Sequence, residues 1–279
     1  MKKIAIIFVF AFLPLTLNAS VNVSDNFTFS PGGYWGNSTD AVIELPAGFN
    51  LQGGISISSS GGSRSLSYSL GGGKDLFFKM ISLNALYNAG RSSGHVSDGG
   101  ELTFSIRPFM GLSTFVDIQL EAGYSFTGYM DAGRTELLPC HSWKIGAGLG
   151  VLQTTNLAIA YTSYIYSLSL PHEYALQDIQ SRIIATQNIK LAGALALVSG
   201  FPGSTIDVSV SHMLLDNLNL YVSYSWIQYQ LNNNVSNSYL AGADYSLLEN
   251  ISLGFAYNLF QDPTPSISHY FSLGTNIGF

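Results

Sequence analysis

Ser268-His-Tyr-Phe-Ser-Leu-Gly-Thr-Asn-Ile-Gly-Phe279 ends the chain, and its residues alternate in character. One set of alternate positions is mostly apolar and consists of Phe271, Leu273, Thr275, Ile277 and Phe279. The other set is mostly small or polar and consists of Tyr270, Ser272, Gly274, Asn276 and Gly278. Successive side chains of a β-strand point to opposite faces, so this stretch is predicted to be a strand with one apolar face. A strand of a soluble β-sandwich has the same pattern, and the rest of the chain must distinguish a soluble sheet from a membrane sheet.

The strand ends on an aromatic residue, Phe279, at the last position of the chain. In this it resembles the C-terminal signature of Gram-negative outer-membrane β-barrels. The resemblance implies that Phe271, Leu273, Ile277 and Phe279 form the signal that the barrel-assembly machinery reads. It also implies an outer-membrane location and contact with outer-membrane lipid.

The start of the chain has the features of a secretory signal peptide. Met1-Lys-Lys is basic, residues 4–17 are apolar, and Ala19 is a small residue suited to cleavage. The signal peptide is predicted to span residues 1–19. Its apolar run is shorter than the roughly 18–20 residues of a spanning helix, and no later run reaches that length, so a transmembrane helix is not expected.

The composition is unusual for a soluble exported protein. Hydrophobic residues make up 47% of the chain and charged residues only 10%, whereas soluble domains carry about 25% charged residues. A surface with so few charges would aggregate in water but suits contact with lipid. Within hydrocarbon every backbone N–H and C=O group must be hydrogen-bonded, so only helices and closed β-barrels span a membrane. Because no spanning helix is expected, the closed barrel remains.

The net charge is −6 at pH 7, and it becomes more negative when a signal peptide containing Lys2 and Lys3 is removed. This acidic balance argues against a nucleic-acid partner. Cys140 is the only cysteine, so the chain cannot form an intrachain disulfide.

From residue 49 onward, alternating stretches follow one another with short breaks. Most are close to the roughly 9–11 residues of a tilted spanning strand. About fourteen such strands are predicted, with about twelve as the second possibility. They are 49–59, 63–70, 76–88, 101–109, 114–127, 142–152, 157–169, 178–186, 189–198, 205–214, 218–229, 238–247, 251–260 and 268–279. The predicted fold is an all-β, antiparallel up-and-down transmembrane barrel over residues 49–279.

Residues 20–48 precede the first of these strands and are rich in Asn, Ser, Gly and Pro. We interpret them as an irregular lead-in, in which only 41–45 has the character of a short strand. Three placements stay open at this point: the lead-in crosses the barrel mouth, enters the lumen as a plug, or packs on the periplasmic rim.

Four segments share a tight turn that ends in Asn and is followed by an apolar-x-apolar strand start, namely 155–159, 187–191, 216–220 and 249–253. Asn tolerates the left-handed backbone conformation of short hairpin turns. Barrels of this class have short periplasmic turns, so we place these four, with 71–75 and 110–113, in the periplasm. With both chain ends there too, the strands alternate in direction only if 178–186 is a barrel strand. None of the outer loops then exceeds about 14 residues, as in a small, plain barrel.

Alternation also places most strand charges opposite the apolar face. Arg or Lys on the lipid face costs about 2–4 kcal/mol at the midplane, so the charged face is expected to be the lumen. The predicted lumen-lining residues are Glu101, Arg107, Asp117, Gln119, Glu121, Lys144, Arg182, Lys190, Asp207 and Asp244. Arg64 and Lys79 fall instead on the apolar face near strand starts, where long side chains reach the interface.

The mixed signs of these charges admit two interpretations. One is a polar pore for small hydrophilic solutes with weak ion preference, and the other is a set of ion pairs that holds a narrow or plugged lumen. Barrels of about eight strands are filled by side chains and those of about 16–18 strands enclose a channel, so about fourteen favours a pore. Small inward residues such as Gly146 and Gly148 also leave room.

An outer-membrane lipid-modifying enzyme is the main alternative. His95, His141, His172 and His269 fall toward the predicted outer rim. A catalytic set needs converging side chains, which a shared rim does not provide, so no catalytic residue is assigned. The histidine spacing matches no metal motif and no phosphate-binding glycine motif occurs, so neither a metal nor a cofactor is expected.

The sequence therefore predicts an outer-membrane barrel that passes small hydrophilic solutes or ions. Its size and strand number are similar to those of monomeric oligosaccharide porins, and its lead-in resembles the plug of fatty-acid transporters, although the residue motifs of both families are absent. The alternatives left open are the lipid-modifying enzyme, an N-terminally plugged transporter of hydrophobic substrates, and a structural barrel without transport.

Overall fold

The computed structural model describes residues 19–60, 63–77, 79–92, 95–110, 115–131, 138–167, 182–185, 195–198, 202–230, 233–262 and 266–279. Residues 1–18 lie outside this set, so the signal peptide stays a prediction. In the described part of the chain, no helix is long and apolar enough to cross a membrane.

Fourteen strands form a closed antiparallel barrel, which confirms the predicted fold class. They are β1 Ser20–Phe29, β2 Trp35–Leu45, β3 Phe49–Ser60, β4 Ser63–Leu76, β5 Ile81–Ser92, β6 His95–Ile106, β7 Val116–Asp131, β8 Leu138–Val151, β9 Thr155–Tyr166, β12 Pro202–Leu215, β13 Leu218–Tyr229, β14 Val235–Leu248, β15 Ile251–Gln261 and β16 Ile267–Gly278. β10 (Arg182–Ala185) and β11 (Leu195–Val198) form a separate two-stranded sheet. The barrel closes where β1 pairs with β16.

The interpretation of residues 20–48 as a lead-in or plug is wrong, because they contain β1 and β2 of the barrel wall. β1 pairs with β2 along its whole length and with β16 over residues 22–29. An open sheet edge in lipid would leave a row of backbone groups without partners, and this pairing removes both edges. In the sequence, the interspersed Asn, Ser and Asp residues obscure the apolar alternation of β1.

The predicted barrel strands 178–186 and 189–198 are not part of the barrel wall. Their described residues are β10 and β11, and the rest of both stretches lies outside the described residues. β9 instead pairs directly with β12, and the Tyr166 hydroxyl donates to the Pro202 carbonyl oxygen at 3.0 Å. The predicted number of strands still agrees because β1 and β2 take the place of these two. The connection over 167–201 is therefore much longer than the outer loops expected from the sequence.

The two ends of the barrel sequence lie at one rim. The Val21 N–H donates to the Phe279 carbonyl oxygen at 3.2 Å, and the Phe279 N–H donates to the Val21 carbonyl oxygen at 2.8 Å. We call this the chain-end rim and the opposite one the outer rim. Because the strands alternate in direction, the turns after β2, β4, β6, β8, β12 and β14 lie at the chain-end rim. They include the predicted turns before residues 157, 218 and 251, whereas 187–191, and all of 110–113 except Met110, lie outside the described residues.

The predicted turn at 71–75 is wrong, because these residues belong to β4. Glycine allows β4 and β5 to approach closely there, because a Cβ atom on Gly71 would clash with the Ala85 carbonyl oxygen. The chain reverses instead at 77–80, where Phe77 and Lys79 have positive φ angles. Lys79 is therefore an exposed turn residue at the chain-end rim rather than a strand residue on the lipid face.

Candidate pore

The two faces of the barrel differ in chemistry. Outward side chains at mid-barrel are bulky and apolar, with exposed fractions of 50–63% for Leu102, Leu120, Ile145, Ile159 and Phe255. Toward the outer rim the outward face becomes aromatic. Phe29 stacks on Phe271 with ring centroids 5.5 Å apart, and the ring centroids of Tyr124 and Trp143 are 4.6 Å apart. An apolar band with an aromatic girdle is what a barrel surface needs in a bilayer.

One half of the lumen is an open cavity of about 490 Å³. Strands β2 to β9 and β12 line it, from Tyr129 and Pro202 near the outer rim to Gln119 and Gly148 toward the chain-end rim. Five of the residues assigned to the lumen from the sequence line this cavity: Glu101, Gln119, Glu121, Lys144 and Asp207.

Charged side chains from four strands meet in the middle of the cavity. Lys144 Nζ on β8 lies 2.8 Å from Glu121 Oε1 on β7. Glu101 on β6 and Asp207 on β12 both interact electrostatically with Lys144. Asp207 Oδ1 also accepts a hydrogen bond from the Ser225 hydroxyl at 2.6 Å. This wall therefore holds three carboxylates around one ammonium group.

The facing wall adds a carboxylate and many hydroxyl groups. β2 lies six positions from β8 in the ring of strands and contributes Asp40 to the cavity. Ser56 and Ser67, 2.6 Å apart through their hydroxyl oxygens, line the same wall. Lys144 is the one Lys or Arg side chain among the described residues of the lining. The cavity therefore has an excess of negative charge.

A second polar cluster lies at the chain-end rim. Arg107 directly follows β6, and its Nη2 and Nε donate to Gln119 Oε1 at 2.9 and 3.1 Å. Arg107 Nε also lies 4.0 Å from Asp117 Oδ2. The charge of Arg107 is thus opposed by Asp117 and does not offset the carboxylates around Lys144.

The other half of the lumen is filled by side chains. Two buried clusters from β13, β14 and β15 occupy it, namely Tyr221 with Leu240 and Ala256, and Ile227 with Tyr229 and Phe260. A buried hydrogen bond of 2.8 Å between the hydroxyls of Thr28 and Ser272 adds to this packing. We did not predict this filled half from the sequence, although Ile227, Leu240 and Phe260 occupy inward positions of their strands and are large and apolar.

Aromatic rings extend the filled half to the outer turn between β1 and β2. Tyr34 packs edge-on against Tyr270, with ring centroids 5.6 Å apart. Burial raises the pKa of Tyr34 to about 12, so its hydroxyl is neutral at physiological pH.

Three further residues assigned to the lumen do not line the cavity. Asp244 pairs with Asn219 across β13 and β14 and interacts with Tyr221 of the filled half. Arg182 belongs to β10, which is not a barrel strand. Its assignment to the lumen depended on the predicted barrel strand 178–186, and that prediction is wrong. Lys190 lies outside the described residues.

The histidines whose side chains the structure describes lie apart from one another. His141 and His269 lie on the outward face near the outer rim, each with Nδ1 2.6 Å from a tyrosine hydroxyl, that of Tyr124 or Tyr257. His212 lies near the chain-end rim, where its Nδ1 is 2.9 Å from the Thr155 hydroxyl. His95 begins β6, and His172 lies outside the described residues. Within the described ranges, no group of three or more His, Cys, Asp or Glu residues has the arrangement of a metal site.

A closed antiparallel barrel with an apolar outward band, an aromatic girdle and a polar lumen defines the architecture of outer-membrane β-barrels. Solved structures with a similar fold include the outer membrane protein Omp33 of Acinetobacter baumannii, with a TM-score of 0.53 and 8% identity over 93% of this chain and 98% of that chain. CdiB from Acinetobacter baumannii has a TM-score of 0.51 and 10% identity over 94% of this chain and 60% of that chain. A KdgM porin has a TM-score of 0.47 and 7% identity over 92% of this chain and 99% of that chain. At these identities the similarity concerns the fold alone. No protein-family model and no curated protein sequence matches the chain.

Proposed function

We propose that this protein is an outer-membrane pore for small hydrophilic solutes and ions, and that it prefers cations. The observation that carries the proposal is the open half of the lumen, where Glu101, Glu121 and Asp207 lie around Lys144 and Asp40 adds a carboxylate on the facing wall. A cleft lined by charges of one sign raises the local concentration of ions of the opposite sign. The hydroxyl groups of the facing wall provide hydrogen bonds for uncharged polar solutes as they pass.

The proposal assigns different roles to the lumen residues. Glu101, Glu121 and Asp207 attract cations, and Lys144 moderates their field. Arg107, Asp117 and Gln119 form the periplasmic exit. The cation preference replaces the weak ion preference expected from the sequence, because Arg107 is opposed by Asp117 at the rim and Arg182 is not in the barrel wall.

The proposal includes the location and the assembly route. The mature protein, after loss of residues 1–19, lies in the outer membrane, and the barrel-assembly machinery reads β16. Phe271, Leu273 and Ile277 support this assignment because they share the outward face of that strand, which leads into the exposed Phe279. No catalytic role is assigned to the two Tyr–His pairs, which lie on the outward face of the barrel near the outer rim.

The test is the conductance of the refolded mature protein in planar bilayers. We expect steady channels whose reversal potential in a KCl gradient has the sign of a cation-selective pore. Folding is checked independently by heat-modifiable migration in SDS gels. A folded barrel that does not conduct would contradict the pore and favour a structural barrel, and a reversal potential of anion-selective sign would contradict the role of the carboxylates.

A further inference from the structure

One carboxylate lies on the outward face of the barrel near its middle. Asp25 of β1 is followed on this face by Phe27 and Phe29 toward the outer rim. It lies four residues deeper than Phe29, which is about 13 Å along a strand at about 3.3 Å per residue. With a strand tilt of about 40°, this places Asp25 near the middle of an apolar band about 25 Å tall.

The surroundings of Asp25 are also polar. The Asn37 side-chain amide donates to Asp25 Oδ1 at 3.1 Å, and the Thr39 hydroxyl donates to the same oxygen at 2.7 Å. Thr275 of β16 is the cross-strand neighbour of Asp25 on the other side. We call Asp25, Asn37, Thr39 and Thr275 the Asp25 patch. Below it, toward the chain-end rim, the paired outward positions Ala41 and Gly53 are small, so another surface can approach closely.

The other outward charges of the described strands lie near the rims. Arg64, Arg91 and Asp98 fall within four residues of the outer ends of their strands, and Lys74 lies two residues from the end of β4. The long Arg and Lys side chains reach the interface from these positions. Asp25 does not, because the girdle rings Phe29 and Phe271 separate it from the outer rim.

The Asp25 patch is incomplete as it stands. Both side-chain hydrogen bonds to Asp25 go to Oδ1, and Oδ2 accepts none from a described residue. The Thr275 hydroxyl likewise makes no hydrogen bond to a described residue and is exposed. Lipid tails offer no hydrogen-bond donors, and ionisable groups inside a membrane are therefore found paired or facing protein.

We propose that the Asp25 patch is the interface with a second copy of this chain, related by a two-fold axis along the membrane normal. Asp25 and Thr275 are cross-strand partners on β1 and β16, so such an axis between these strands brings Asp25 of each copy to Thr275 of the other. The free acceptor Oδ2 then meets the free hydroxyl twice, which is the self-complementarity that an isologous dimer requires. This inference does not depend on the pore function.

The first experiment counts subunits of the full mature protein by single-molecule photobleaching in lipid bilayers. We expect a dimer that weakens about tenfold or more in Thr275→Val and Asp25→Asn, since hydrogen bonds to a charged group are lost on both sides of the axis. Ser163→Ala serves as the matched control, because Ser163 is an outward hydroxyl on β9, six strand positions from β1. Heat-modifiable migration in SDS gels verifies that each variant folds.

A second experiment keeps the proposal testable if a variant folds poorly. Tagged Asp25→Cys protein and untagged Thr275→Cys protein, both in a Cys140→Ser background, are reconstituted together and oxidised. We expect disulfides between the two kinds of chain, and none when Ile159→Cys replaces Thr275→Cys. A monomer at all densities, a trimer, a dimer that survives Thr275→Val unchanged, or the absence of the mixed disulfide from folded protein would overturn the proposal.

Discussion

At the scale of single residues, Lys144 controls the charge balance of the lumen. Its ammonium group pairs with Glu121 at 2.8 Å and also interacts with Glu101 and Asp207. No other Lys or Arg among the described residues lines the cavity. If this side chain is neutralised, carboxylates are therefore the only charged groups among the described residues of the lining.

We expect Lys144→Gln to raise the ratio of cation to anion permeability by about two- to threefold at 0.1 M salt, the combined effect on both ions of removing one charge at about 7 Å in a medium of high dielectric constant, about halved by screening. Glu101→Gln should lower the ratio. The ratio is measured from reversal potentials in a KCl gradient. Lys74→Gln is the control, because Lys74 lies outward over the Phe49 ring at the chain-end rim. A shift toward anions in Lys144→Gln would refute the assigned role.

Residue-scale reasoning from the sequence succeeded where side-chain direction depends only on the strand. Glu101, Gln119, Glu121, Lys144 and Asp207 lie on the inward faces of strands whose alternation is unambiguous. It failed for Arg182, because alternation shows which side chains point into the lumen only when the strand is part of the barrel wall.

At the scale of elements, β1 and β2 decide whether the barrel closes. β1 bridges β16 and β2, and β2 bridges β1 and β3. If they are removed, β3 and β16 both become open edges. Nothing in hydrocarbon can satisfy the backbone groups of such edges.

We expect deletion of residues 20–45 to prevent folding of the barrel rather than to open a plugged pore. The measurement is heat-modifiable migration together with bilayer conductance. The matched control replaces residues 168–200 by a short Gly/Ser linker. It should fold, because β9 pairs directly with β12 and the Tyr166 hydroxyl contacts the Pro202 carbonyl oxygen. A stable, conducting barrel without residues 20–45 would show that β1 and β2 are dispensable.

At the scale of the whole molecule, the lumen is asymmetric. The half lined by β2 to β9 and β12 is open and acidic, and the half lined by β13 to β15 is filled by clusters around Tyr221 and Ile227. In the proposed pore, solutes therefore follow a path along the carboxylate-bearing walls. We expect selectivity to arise from the summed field of several fixed charges rather than from one binding site.

A field of this kind is screened by salt. The Debye length falls from about 10 Å at 0.1 M to about 3 Å at 1 M ionic strength. We expect the cation preference of the native protein to be clear in 0.1 M KCl and to fall toward no preference in 1 M KCl, with gradients of the same ratio in both cases. A preference that persists unchanged at 1 M would point to a tight local site instead.

The sequence by itself determined the architecture and the two faces, because the alternation of side chains along a strand is a local property that every segment displays. The C-terminal strand, the turns before residues 157, 218 and 251, and the inward carboxylates all follow from it. Only the tertiary structure decided which strands form the wall, since β1 pairs with β16, which lies at the other end of the chain. It also decided which half of the lumen is open, because inward parity does not say how large side chains from neighbouring strands pack together. The excess of negative charge and the Asp25 patch both depend on these long-range pairings, so neither appears until the barrel is closed.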